Sequence, residues 1–173
     1  MILRVEDCEV VVVGAGAMGS ATAWWLARWG LDVILIEQFE AGHQRGSSHG
    51  STRIFRLAYP DPIYVDMARR ALPLWRDLED EAGIDLLVTT GGIDYGDPSS
   101  IAPIVDALIS TSVPHEVVRP LEAARRWPGF VFDGPVLYQP DAGRLLADVA
   151  LRALQGSPGR KAPGCDLRNR SAP

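Results

Sequence analysis

The chain has 173 residues, enough for one domain or a little more. Its 47% hydrophobic and 23% charged residues are ordinary globular values and argue against intrinsic disorder. Seventeen basic against 22 acidic residues give a net charge of −5 with no basic block, which disfavours nucleic acid and anionic membrane as partners. Cys8 and Cys165 form neither a disulfide framework nor a metal cluster, so a reduced cytoplasmic protein is expected. Lys161 is the single lysine, leaving no catalytic lysine in the body of the chain.

Residues 10–27 carry no charge, yet Gly14, Gly16 and Gly19 interrupt them and acidic Glu6, Asp7 and Glu9 precede them. This pattern suits neither an export signal nor a membrane span. Instead residues 8–13 read as a strand buried in a parallel sheet, and the turn Gly14-Ala15-Gly16-Ala17-Met18-Gly19 opens a helix that stops at Gly30. Residues 32–36 form a second strand ending on Glu37, completing a βαβ unit with a right-handed crossover.

A polar, glycine-rich loop over 38–50 follows, of the length and composition that carry function. Asp61-Pro62 predicts the start of a helix over 62–82 with a kink at Pro73. Strands are expected at 86–89 and 93–95, helices at 103–110 and 121–127, a strand at 131–139 and a closing amphipathic helix at 143–155. The five tryptophans are expected in packed positions, and Tyr59 and Tyr64 are lesser candidates for a pocket wall.

Residues 156–173 differ in kind: they carry +3 while 1–155 carry −8, they lack an apolar period, and they are expected to be a disordered tail. The composition break suggests translation in another frame of GC-rich DNA.

The strand, the Gly14-x-Gly16-x-x-Gly19 turn, the helix and Glu37 together make a dinucleotide fingerprint in its proper context. Gly14 permits the tight turn, Gly16 lets backbone approach a pyrophosphate, and Gly19 lets helix and strand pack closely. The helix N-terminus offers unpaired N–H groups to phosphate, and Glu37 is placed to accept from ribose hydroxyls. NAD and FAD both remain open on this unit alone.

The next stretch is Gly42-His43-x-x-Gly46-Ser47-Ser48-His49-Gly50-x-Thr52-Arg53-Ile54-x-Arg56-x-Ala58-Tyr59. It resembles the FAD-dependent amine oxidases of the monomeric sarcosine oxidase, N-methyl-tryptophan oxidase and pipecolate oxidase type. The likeness continues through Leu74-Trp75, Thr90-Gly91-Gly92, Arg126-Trp127-Pro128-Gly129 and Asp141-Ala142-Gly143, and covers residues 8–155.

The resemblance implies an α/β fold: a Rossmann-like FAD-binding βαβ unit and the start of a mixed α+β substrate domain. It implies 1–155 as the FAD-binding domain with part of the substrate domain, from a family about twice this long. The missing half would supply a flavin-linking cysteine and a lysine near the flavin, roles carried onto neither Cys165 nor Lys161.

It also implies FAD contacts from Gly14, Gly16, Ala17, Met18, Gly19, Glu37, Gln38, Ser47, Ser48, His49 and Thr52. Arg53 would lie beside the flavin ring and Arg56 would bind a substrate carboxylate. Three apart, the two arginines would share one face of a helical turn and aim both guanidinium forks into one pocket. The implied activity is oxidation of a secondary or N-methyl amino acid by a monomeric enzyme using molecular oxygen, giving an imine and hydrogen peroxide. Little turnover is expected of the chain itself. The rival readings are a catalytically dead fragment and an NAD-dependent dehydrogenase.

Overall fold

The computed structural model describes residues 7–40, 42–156 and 165–169. The chain divides into two units, one of residues 1–52 and 146–173, the other of 53–145.

In the first unit β1 (Val10–Val13) and β2 (Val33–Glu37) pair in parallel across α1 (Ala17–Arg28), as the βαβ pattern requires. Ala15, Ala23, Val33 and Leu35 form the buried seam, with Val10, Val12, Leu26 and Leu31 against it. The chain returns to this unit through α5 (Ala147–Leu154). Gln155, just past α5, donates from Nε2 to the Ala15 carbonyl at 2.8 Å and to Ser20 Oγ at 3.3 Å. Ser20 is itself fully buried and donates to the same carbonyl at 3.0 Å, so the back of the glycine turn is anchored twice.

Where composition predicts a tail, β9 (Cys165–Asn169) pairs in parallel with β2, from Val33 opposite Cys165 to Glu37 opposite Asn169. Residues 165–169 form a strand of this sheet. β2 offers a free ladder of backbone donors and acceptors, and pairing with it requires no apolar period in the incoming segment. The rest of the tail past Gly156, including Lys161, lies outside the described residues.

The second unit contains two antiparallel sheets. One orders β3 (Arg53–Phe55), β8 (Gly143–Leu145) and β4 (Leu87–Thr89), and the other β5 (Gly92–Tyr95), β7 (Val136–Gln139) and β6 (Glu116–Val118). Helices α2 (Pro62–Ala82) and α3 (Pro98–Ser110) pack over a core that includes Phe55, Leu57, Val65, Leu87, Leu108 and Leu137. A smaller cluster of Val118, Ala123, Phe132 and Val136 lies with α4 (Pro120–Arg126), supported by Ile93, Trp127 and Tyr138.

α2 begins as its sequence directs, with Asp61 Oδ1 accepting the Ile63 N–H at 2.9 Å and Pro62 in the first turn. It runs as one element through Pro73 and stops at Gly83 in the left-handed region, φ +66°. Near its end the buried Glu79 carboxylate accepts the Leu86 and Leu87 N–H groups at 2.6 and 2.7 Å. Arg76 closes the clasp, donating to Glu79 Oε2, the Leu87 carbonyl and Thr89 Oγ1.

Three expectations shift here. α3 starts at Pro98, capped by Asp97, whose Oδ1 accepts the Ser99 N–H at 2.8 Å; Asp97-Pro98 repeats the Asp61-Pro62 signal. The strand expected over 131–139 is confined to 136–139, because the aromatic residues before it pack among themselves, Phe130 stacked on Phe132. The closing helix over 143–155 is instead β8 followed by α5: Gly143 pairs with Phe55 on one side and Thr89 on the other. Among the tryptophans, Trp24 is core, whereas Trp29 is 71% exposed at the end of α1. No described helix is long and apolar enough to cross a membrane.

Candidate functional site

The first unit holds a cavity of about 410 Å³. Its floor is the glycine turn. Gly14 adopts φ +98°, which a residue with a Cβ rarely accepts, and its N–H donates to the Ile36 carbonyl at 2.7 Å. Gly19 is required for proximity: a Cβ there would stand 1.8 Å from the Gly14 carbonyl oxygen. The approach of α1 to its own turn therefore depends on a bare backbone.

Glu37 closes one wall. Its Oε2 accepts the Ala15 N–H at 2.9 Å, and its Oε1 accepts the Gln38 and Phe39 N–H groups at 2.8 and 3.1 Å. His43 Nε2 stands 3.7 Å from Oε1. Burial pushes this carboxyl up, but the three backbone donors and His43 outweigh it and hold Glu37 below the ordinary value. It stays ionised, with lone-pair capacity remaining on Oε2 for a hydroxyl donor.

The 38–50 loop forms the opposite wall. Ser48 Oγ accepts the Ala17 N–H at 2.9 Å and so caps α1 from far along the chain, where Gly16 has no side chain to do so. A Cβ on Gly16 would lie 3.1 Å from that oxygen, so the serine side chain would have to give by a few tenths of an ångström to admit one. A ring nitrogen of His49 bonds the Gly46 carbonyl, and Arg45 N–H donates to His43 Nδ1 at 3.1 Å. Both histidines thus order the loop. Asp148, in the first turn of α5, accepts the Gly50 N–H at 3.1 Å.

Of the expected nucleotide contacts, Gly14, Gly16, Glu37, Gln38, Ser47, Ser48 and His49 line this cavity. Ala17, Met18, Gly19 and Thr52 stand outside its lining; Gly19 faces inward to the strand, and Met18 is 83% exposed. Sequence reasoning missed Asp148 and Leu151, whose signal was an acidic first turn on a helix that returns to the glycine turn. The start of α1, where Gly16 offers no side-chain cap of its own, and the ionised acid at the tip of β2 fit a dinucleotide.

The two arginines behave differently from expectation. Arg53 lies in β3, paired opposite Leu145, so no helical turn unites it with Arg56. The residues between them follow strand alternation, with Ile54 82% exposed and Phe55 buried. The partner strand β8 imposes this extended geometry.

Arg56 lines a second cavity, of about 340 Å³, within the 53–145 unit, together with Thr90, Asp94, Gln139 and Arg144; Arg53 is not in that lining. Arg56 Nη1 stands 3.4 Å from Asp94 Oδ1, and its guanidinium lies 5.2 Å from the Tyr59 ring centre. Gln139, 1% exposed, donates from Nε2 to Asp94 Oδ2 at 2.7 Å and accepts the Leu57 N–H at 2.9 Å. Burial raises the Asp94 carboxyl above its ordinary value, against the pull of Arg56 and Gln139.

A family model described as FAD dependent oxidoreductase matches residues 9–171. The chain belongs to the FAD-dependent oxidoreductase family. The chain is 38% identical over 151 residues to a putative sarcosine oxidase of Caenorhabditis elegans, covering 86% of this chain and 39% of that protein. It is 37% identical over 159 residues to the peroxisomal sarcosine oxidase of Mus musculus, covering 90% and 41%. It is 30% identical over 153 residues to an N-methyl-L-tryptophan oxidase of Yersinia pestis, covering 86% and 41%. Among solved structures, NikD, an unusual amino acid oxidase essential for nikkomycin biosynthesis, superposes with a TM-score of 0.75 at 29% identity, over 95% of this chain and 44% of that one. The chain thus spans about two fifths of the length of these relatives.

Proposed function

We propose that this chain is the nucleotide-binding and substrate-arginine portion of an FAD-dependent oxidase of secondary or N-methyl amino acids. The observation that carries the reading is the first cavity, with a glycine turn for its floor, an ionised Glu37 at one wall and the Ser47-Ser48-His49 loop at the other. Relatives named as sarcosine oxidases and N-methyl-L-tryptophan oxidases support the reaction class.

Glu37 would hold an adenosine ribose, and the start of α1 with Ala17 and Met18 would face the pyrophosphate. Gly14, Gly16 and Gly19 would let the backbone come close enough. Gln38, Ser47, Ser48, His49 and Thr52 would complete the cofactor contacts, with Arg53 near the flavin ring. Bound flavin supplies a two-electron acceptor that oxygen can reoxidise. Arg56 would bind the substrate carboxylate through its fork and so orient the C–H bond next to nitrogen. The net reaction consumes the amino acid and oxygen and forms an imine and hydrogen peroxide. The partners in this reading are small molecules, the chain acts as a monomer, and its low cysteine content suits the cytoplasm.

The test is an FAD titration of the purified chain followed by flavin fluorescence, with NADH as the competing ligand. FAD binding that NADH does not reverse supports the proposal. A colourless chain that binds NADH and leaves FAD free would overturn it. Peroxide release from sarcosine, pipecolate or proline then distinguishes an active chain from a nucleotide-binding portion alone.

A further inference from the structure

The second cavity contains a closed circuit of contacts that the nucleotide site does not use. Arg56 reaches Asp94 Oδ1, Asp94 Oδ2 accepts from Gln139, and Gln139 Oε1 accepts the N–H of Leu57, the residue next to Arg56. The circuit therefore returns to the backbone it started from. Gln139 is buried and bonded on both ends of its amide, so Asp94 has one oxygen fixed and the other presented to the guanidinium. Arg56 is 47% exposed along its side chain, and the long contact to Asp94 and the Tyr59 ring are what direct it.

We propose that Asp94, held by Gln139, is a positioning residue that fixes the Arg56 guanidinium over the cavity and competes with an incoming ligand carboxylate for it. This rests on the reading of Arg56 as a carboxylate receptor. Two carboxylates sharing one fork repel each other, so a ligand binds by taking Arg56 from Asp94, and Gln139 keeps Asp94 in place to receive Arg56 again on release. Burial raises the Asp94 carboxyl, so when Arg56 leaves it the Gln139 amide is the donor that still holds it. The pair thereby makes the site selective: a ligand needs a carboxylate able to form the bidentate contact that the single, 3.4 Å approach of Asp94 does not.

The experiment measures the rate at which phenylglyoxal modifies Arg56 in the full chain, by mass spectrometry of its peptides. Arg69, paired with Asp66 on α2, is the internal control. In Asp94→Asn, Arg56 should react about two- to fivefold faster, the range for losing one partly exposed ion pair, while Arg69 is unchanged. Asp94→Glu should restore slow reaction. Sarcosine should protect Arg56, and half-protection should need less sarcosine in Asp94→Asn than in the parent chain. An unchanged Arg56 rate in Asp94→Asn, or equal acceleration of Arg69, overturns the positioning role. Protection at the same sarcosine concentration in both chains overturns the competition. If sarcosine protects Arg56 in neither chain, the carboxylate reading of Arg56 fails, and the rates without ligand still decide the positioning role.

Discussion

Glu37 Oε2 accepts the Ala15 N–H at 2.9 Å, so one carboxylate at the tip of β2 both shapes the glycine turn and presents its remaining capacity to the cavity. Removing it should damage geometry and recognition together. Glu37→Ala strips acceptors from three backbone N–H groups and should weaken FAD binding by about 10- to 100-fold, at 1.5–3 kcal/mol for a hydrogen bond to a charged group. Calorimetric titration with FAD measures this. Unchanged affinity would show that the nucleotide does not depend on this wall.

Gly19→Ala should be worse for the fold than any exposed substitution on α1. Its Cβ would fall 1.8 Å from a backbone oxygen, so α1 must move away from Gly14, at a cost of about 2 kcal/mol or more. A thermal melt should show the loss even without ligand, and FAD binding should fall with it.

Ser48→Ala tests the long-range cap on α1. It leaves the Ala17 N–H without the hydroxyl that now accepts it and should cost about 1 kcal/mol in the ligand-free chain. Saturating FAD should narrow the difference in melting temperature if phosphate oxygens take over that donor.

Glu79→Ala should destabilise the 53–145 unit by about 3 kcal/mol, because two buried N–H groups lose their acceptor and Arg76 loses its anchor. Burial pushes Glu79 up, yet the Leu87, Arg76 and Leu86 donors hold it below the ordinary 4.5. A carboxyl lowered in the folded state contributes stability above its unfolded value and loses it as pH falls through the folded one. Denaturant melts of the parent chain should therefore weaken below about pH 4.5, and those of Glu79→Ala should weaken less.

Sequence reading succeeded where the determining signal is local. The β1–turn–α1–β2 unit and the Asp61 cap of α2 follow from residues within a few positions of one another. The extended geometry of Arg53–Phe55 depends on β8, far along the chain, and no local pattern announces it. Gly143 and Leu145 fit an apolar helical period continued through α5, yet β3 and β4 claim them from both sides. Cys165–Asn169 has no strand signature of its own and is a strand by pairing with β2. In the first cavity, the grouping of the glycine turn with Glu37 was legible from their spacing, whereas Asp94 and Gln139 are far apart in sequence and meet Arg56 only through the pairing of β5 with β7.

The chain leaves the first unit at Gly50–Thr52 and comes back at Leu146–Asp148. The two passages are stitched side by side, Ala147 N–H to the Ser51 carbonyl at 3.0 Å and Gly50 N–H to Asp148. On the ribosome this fixes a timetable. The inserted span Arg53–Leu145 has all of its own strands once β8 has emerged, while β1 and β2, synthesised before it, wait for α5 and β9. β1 and β2 thus precede the insert in the chain yet belong to the unit completed after it. Closing that long loop costs less chain entropy when the insert is already folded and its ends are held near each other.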